Sequence, residues 1–202
     1  MQNITFSTNI AADLKNWLSQ NAHFSKIFVI MDENTEKCCL PVLNGIHFDQ
    51  YIHIVSGELH KNMGTVQQIW QALLDANADR NSLVVNLGGG VIGDMGGFAA
   101  ATYKRGIAFV QIPTTLLAMV DASVGGKLGI DFGSIKNSVG VFGEPAHVFI
   151  APIFLETLPE RILRSGIAEM IKHEAIAHEN PNFDIYDMVS IWNSGPIAMA
   201  CA

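Results

Sequence analysis

Five short apolar runs set what this chain can fold into: "KIFVIMD" (26–32), "YIHIVSG" (51–57), "SLVVNLG" (82–88), "IAFVQIP" (107–113) and "AHVFIAP" (146–152). Each is rich in β-branched or aromatic residues and shorter than an ordinary helix, so each reads as a buried strand. Helical patterns lie between them. "TVQQIWQALLDANAD" (65–79) puts Val66, Ile69, Trp70, Leu73 and Leu74 on one helical face, and a second helix starts near Glu33. Strand and helix in alternation predict an α/β domain with a parallel sheet. The pattern changes at Pro159, where "PERILRSGIAEMIKHEAIAHE" reads as one long helix with proline in its first turn. The expected division is therefore an α/β domain over 1–158 and the start of an all-helical domain over 159–202. The second stretch is too short for a core of its own, and "NSGPIAMACA" at its end has no periodicity.

The chain has 202 residues, 49% apolar and 15% charged, enough to bury a sizeable core and too apolar for general disorder. No apolar run reaches bilayer-spanning length. The first residues, "MQNITFSTNIAADLKNWL", lack the basic segment and apolar stretch of a secretory signal. Cys38, Cys39 and Cys201 have no metal-site spacing and fit reduced thiols in a cytoplasm. A net charge of −7 argues against nucleic acid as a partner, while local lysines still allow an anionic small substrate.

The stretch "VVNLGGGVIGDMGGFAAATYKRG" (84–106) holds seven of the eighteen glycines and contains Gly88-x-Gly90-x-x-Gly93. Glycines after a strand let the backbone turn tightly and approach phosphate oxygens at a helix N-terminus. Taken alone, the loop is equally well a crowded turn without a ligand. Two features fit an ordinary Rossmann loop poorly. Strands precede it, whereas the fingerprint normally opens the first βαβ unit, and no Asp or Glu lies between Gly97 and Val120 to hold a ribose. Asp94 instead follows directly, placed either to cap the helix or to accept from a ligand hydroxyl.

Further motifs narrow the reading. "MDENT" (31–35), "SGELHK" (56–61), "QIPTTLLAMVDASVGGKLGID" (111–131), "KNSVGVF" (136–142), "IFLETLPERI" (153–162) and "SGIAEMIKHEAI" (165–176) occur in order around the glycine stretch. Together they closely resemble the 3-dehydroquinate synthase family over roughly residues 26–178. The resemblance implies a Rossmann-like NAD-binding domain, a helical domain carrying most of a zinc (or cobalt) site, and a homodimer in the cytoplasm. Its implied substrate is an anionic sugar phosphate, 3-deoxy-D-arabino-heptulosonate 7-phosphate. In the family the C5 hydroxyl is oxidised by NAD, phosphate is eliminated, the hydride is returned, and an aldol step closes the carbocycle. A sister sugar phosphate cyclase, such as 2-deoxy-scyllo-inosose synthase, and a non-catalytic NAD-binding fragment are the alternatives.

The same resemblance assigns roles. Asp32 and Asn34 fall at the adenosine end of NAD, and Glu58 and Lys61 at a ribose, so the acids precede the glycine loop. Gly89, Gly90 and Val91 line the pyrophosphate, Asp94 the nicotinamide ribose, and Thr114, Thr115 and Thr157 add cofactor contacts. Asp121, Lys127, Lys136, Asn137 and Lys172 match the substrate and nicotinamide region, where lysines suit oxyanions. Arg105 matches a residue that reaches the substrate phosphate across the dimer interface. Glu169 matches the zinc carboxylate. His173, four residues on, reads as a packed or capped histidine, because the family takes its two histidine ligands from further downstream. Those lie beyond residue 202, so the chain as written is expected to bind NAD weakly and not to turn over substrate, since one carboxylate does not hold zinc. Leu128 stands where the family often has Thr, an expected change at a pocket edge. Glu174 replaces a small residue on a helix packing face.

Overall fold

The computed structural model describes residues 3–177. Its strands are β1 (Ile4–Phe6), β2 (Ile27–Asp32), β3 (Gln50–Ile54), β4 (Leu83–Gly88), β5 (Ala108–Pro113), β6 (Lys127–Phe132), β7 (Ile135–Phe142) and β8 (His147–Ile150). Its α-helices are α1 (Ile10–Gln20), α2 (Glu33–Cys38), α3 (Met63–Asp75), α4 (Gly90–Thr102) and α5 (Glu160–Ala177). Six strands form one sheet in the order β1-β8-β5-β4-β2-β3, every neighbouring pair parallel. All five strands expected from the apolar runs are in it.

Alternate residues feed opposite faces of the sheet. Phe28, Ile30, Ile52 and Val84 pack under α3 and α4, against Val66, Ile69, Met95 and Phe98. Val29, Val85, Val110 and Phe149 pack on the other face against Ile10 and Leu14 of α1 and Leu43 and Phe48. Central β4 is buried at every position, which explains its unbroken apolar run. α3 is shorter than its periodic pattern. It ends at Asp75 because Asn77 turns to φ +55°, and Leu74 of the expected apolar face is 57% exposed.

β6 and β7 form a separate antiparallel hairpin. Leu128 and Ile130 turn inward onto α4, so Leu128 is a core residue there and not the pocket edge expected of it. A Cβ on Gly97 would run into the Leu128 side chain, so this glycine lets the hairpin lie flat on α4. The Asp131 N–H donates to the Lys61 carbonyl at 2.9 Å, tying the hairpin to the segment after β3.

Residues Ala118–Ala122 wind as one π-helical turn, and α5 lies against this segment. Gly166 permits the close approach: a Cβ there would come within 2.6 Å of the Leu117 nitrogen. Among the described residues no helix is long and apolar enough to cross a membrane. Cys38 and Cys39 are free thiols, the latter pushed up to about 12 by burial. The tail after Ala177, with Cys201, and the Glu174 side chain lie outside the described part.

Candidate functional site

From β2 the chain steps outward to β3, then returns across β2 to β4 and continues the other way through β5 and β8. The sheet order therefore reverses between β2 and β4, and ligands of open α/β sheets bind beyond the carboxyl ends of strands at such a point. The residues nominated from the sequence largely follow those ends: Asp32 after β2, Glu58 and Lys61 after β3, Gly89 to Asp94 after β4, Thr114 and Thr115 after β5.

Gly89 is the N-cap of α4, and no side chain caps its first turn. The expected alternative of an Asp94 cap is thus corrected: Asp94 lies in the body of the helix. The first-turn N–H groups lie at a shallow surface cleft lined by Gly88, Gly89, Gly90, Gly93, Gln111 and Ser123. Added side chains here would narrow it. A Cβ on Gly89 would sit 3.0 Å from Thr115 Cγ2, and one on Gly90 3.4 Å from Ala122 Cβ. The Thr114 N–H donates to Gly88 O at 3.0 Å, and Thr115 Oγ1 accepts from Ala118 N at 3.2 Å, so both threonines hold the opposite wall. Two lining residues escaped the sequence reading. Gln111 Nε2 donates to the Gly93 carbonyl at 3.0 Å, and the buried Ser123 hydroxyl has no hydrogen-bond partner among the described residues. Unpaired amides at a helix start, a cradle free of Cβ atoms and an orphaned hydroxyl fit a dinucleotide pyrophosphate.

Beside the cradle sits a polar cluster built on the buried Lys61 ammonium. Lys61 Nζ donates to Asp94 Oδ2 at 2.6 Å and to Asn137 Oδ1 at 2.6 Å. Asn137 is held at φ +51°, its own N–H donating to Asp131 Oδ1 at 2.8 Å. Burial raises the Asp94 carboxyl above the ordinary aspartate range, outweighing the opposite pull of the Lys61 ammonium; Glu58 and Asp121 push it the same way. Glu58 pairs with the exposed Lys136 at 3.0 Å across the hairpin. Asp32 accepts from the N–H groups of Asn34 and Thr35 as the N-cap of α2, so its carboxylate is engaged in capping.

A second cluster joins the π-helical turn to α5. Lys172 Nζ lies 2.6 Å from Glu169 Oε1, and this bond lowers the Glu169 carboxyl and raises the Lys172 ammonium. His173 Nε2 is 3.3 Å from Glu169 Oε1 and 3.9 Å from Asp121 Oδ1. The expectation of a packed or capped histidine is overturned: His173 is 51% exposed and turned toward carboxylates, because i and i+4 share one helix face.

Other nominated residues stand apart. Asn34 is exposed on α2, Lys127 is exposed where β6 begins, and Thr157 is exposed at the end of the turn before α5. Arg105 follows the far end of α4, whose 13 residues span about 20 Å, so this chain does not bring it to its own glycine cradle.

The family model described as 3-dehydroquinate synthase N-terminal matches residues 51–165. The 3-dehydroquinate synthase of Parabacteroides distasonis is 47% identical over 179 residues, covering 87% of this chain and 50% of that protein. The chain thus spans about half the length of the curated relatives it matches. Among solved structures, 2-epi-5-epi-valiolone synthase from Streptomyces hygroscopicus, with NAD+ and Zn2+ bound, aligns at TM-score 0.76 and 31% identity over 85% of this chain and 49% of its own. A 2-deoxy-scyllo-inosose synthase complexed with carbaglucose-6-phosphate, NAD+ and Co2+ aligns at TM-score 0.80 and 26% identity, over 92% and 53%. With the motif order, the sheet and the cradle all in agreement, the chain belongs to the 3-dehydroquinate synthase family.

Proposed function

We propose that this protein serves as a 3-dehydroquinate synthase, converting 3-deoxy-D-arabino-heptulosonate 7-phosphate to 3-dehydroquinate and phosphate in the cytoplasm. When bound, NAD supplies a hydride acceptor that gives the hydride back, and zinc or cobalt supplies a Lewis acid toward substrate hydroxyls. The observation that carries this reading is the cradle at the switch point with the Lys61–Asp94–Asn137 cluster at its side.

The N–H groups of Gly89, Gly90 and Val91, with Thr114 and Thr115, would hold the pyrophosphate. Asp32 and Asn34 would face the adenosine end, Glu58 and Lys61 a ribose, Asp94 the nicotinamide ribose, and Thr157 a further part of the cofactor. Asp121, Lys127, Lys136, Asn137 and Lys172 would orient the anionic sugar phosphate, with Glu169 toward the metal. Arg105, remote from its own cradle, would serve the second copy in a homodimer. Residues 1–158 act as the NAD-binding domain and 159–202 as the opening of the metal and substrate domain. Neither nucleic acid nor membrane is a partner in this reading.

Calorimetric titration with NAD+ tests it. Binding should be saturable, and Gly90→Val should weaken it at least ten-fold; a wild-type chain that does not bind NAD+ overturns the reading. The family alternative is separated by the sugar that tightens NAD+ binding, the heptulosonate phosphate or carbaglucose-6-phosphate. The 47% identity to a 3-dehydroquinate synthase, against 26% to the inosose synthase, favours the former.

A further inference from the structure

Gly93, Gly96 and Gly97 fall at i, i+3 and i+4 of α4 and so share one face of that helix. Under it, β4 and β5 carry Asn86 and Gln111 as register partners, 1% and 4% exposed. A Cβ on Gly96 would overlap Asn86 Oδ1, while Cβ atoms on Gly93 and Gly97 would come within 3.2 and 3.4 Å of the Gln111 amide. In a dinucleotide fingerprint the third glycine ordinarily lets helix and strand backbones pack closely. Here the room that Gly93 leaves is filled by a side-chain amide.

We propose that Gln111 is a positioning residue for the cofactor cradle, holding the first turn of α4 in place through the Gly93 carbonyl. This role rests on the reading of the cradle as an NAD+ site, and it falls on a residue to which the family resemblance assigns none.

The hydrogen bonds run in a chain. Gln111 Nε2 donates to Gly93 O at 3.0 Å, and the Gly93 N–H donates to Gly89 O, also at 3.0 Å. A single residue thus links the glutamine to the N-cap of α4. Just beyond, the Thr114 N–H holds Gly88 O at 3.0 Å, so the β5 segment fastens the loop 88–93 at both ends. Between these fastenings no side chain caps the helix start. The turn that would offer its amides to a pyrophosphate is therefore set by the neighbouring strand. Burying a carboxamide is costly unless it is hydrogen-bonded, and an apolar side chain would fill this position without that demand.

The experiment compares wild type, Gln111→Met and Gly93→Ala in the 202-residue chain. NAD+ calorimetry, phosphorus-31 spectra of bound NAD+, thermal melts and amide exchange are read on each. Methionine matches glutamine in length but cannot donate, so the melting temperature of Gln111→Met should stay close to that of wild type. NAD+ affinity should nevertheless fall about ten-fold, and the pyrophosphate resonances of the NAD+ that still binds should move. The Gly93 amide should exchange several-fold faster while β4 keeps its wild-type rates. Gly93→Ala displaces the amide from the helix side and should repeat the loss of affinity, although alanine is the better helix former.

Wild-type affinity and unmoved resonances in Gln111→Met overturn the positioning role and leave the cyclase reading standing. An affinity loss that comes with a lowered melt and faster exchange throughout the sheet makes Gln111 a packing residue, and overturns it equally. Should Gln111→Met fail to fold, Gly93→Ala decides alone, and unchanged affinity there overturns the role. A wild-type chain that does not bind NAD+ sinks the cyclase reading and this role with it.

Discussion

Lys61 Nζ and Asp94 Oδ2 lie 2.6 Å apart, with the lysine side chain only 4% exposed, so a charge pair is buried at the flank of the glycine cradle. Breaking such a pair from one side leaves the buried Lys61 ammonium without its counter-ion. Asp94→Ala should cost about 3 kcal/mol of unfolding free energy, whereas replacing both partners by apolar residues is often close to neutral. Urea denaturation of Asp94→Ala and of the Asp94→Leu, Lys61→Met double variant checks this. A double variant no more stable than the single would show that the pair is not what the site needs.

Asn86 and Gly96 set a second test. Both amide atoms of the buried Asn86 lack hydrogen-bond partners among the described residues, and a Cβ on Gly96 would overlap Asn86 Oδ1. Gly96→Ala should destabilise the chain by about 2 kcal/mol through overpacking. Adding Asn86→Ala removes the obstructing amide, and thermal melts should recover much of the loss.

Ser123→Ala should move stability and affinity in opposite senses. The hydroxyl is buried and unpaired, so its loss should leave the melting temperature unchanged or higher. A hydrogen bond to a charged group is worth roughly 1.5–3 kcal/mol, so NAD+ affinity should fall about ten-fold or more if the hydroxyl meets the pyrophosphate. Equal NAD+ affinity in both proteins would remove Ser123 from the cradle.

The acid side of the stability profile should carry a histidine step. His147 packs at a tilt against Phe149, its Nε2 lies 2.8 Å from Thr5 Oγ1, and burial lowers its pKa below 6.5. A histidine depressed in the folded state contributes fully above its unfolded pKa, and that contribution is lost as pH falls through the folded value. Melting temperature should therefore drop as pH falls below about 6.5, and His147→Phe should flatten that limb of the curve. An unchanged slope would place the acid sensitivity elsewhere.

β2, β4, β5 and β8 were legible because they are mostly buried on both faces and so read as apolar runs, while β3, at the sheet edge, showed by the alternation of its buried Ile52 and Ile54 with exposed residues. β1, with three residues at the sheet edge, offered no such run, and α1 went unread beside it. The hairpin was hidden for another reason. Of "IKNSVGVF" only Val139 and Val141 are even half-buried, so neither an apolar run nor a full inward face marks it as a strand. In the site, the glycine cradle is local and showed in the sequence. The pairing of Lys61 with Asp94 and Asn137 spans separations of 33 and 76 residues, which no periodicity reports. His173 was misjudged because its neighbour Asp121 comes from the π-helical turn, a shape without a sequence pattern.

The hairpin reaches the rest of the molecule through few fastenings: Leu128 and Ile130 on α4, the Asp131–Lys61 backbone bond, and Asn137 on the Lys61 ammonium. In its outer strand Val139 and Val141 are half-buried and Lys136 pairs with Glu58, while Phe132, Ile135 and Phe142 of the hairpin are open to water. Such a unit opens at a lower free energy than the sheet it rests on. Amide protons of β7 should exchange with solvent well before those of β4, under conditions where the sheet stays closed. Each opening would strip Asn137 from Lys61 and turn Lys136 away from Glu58. A ligand gripping Asn137 or Lys136 would then slow exchange in this hairpin more than in the sheet beneath it.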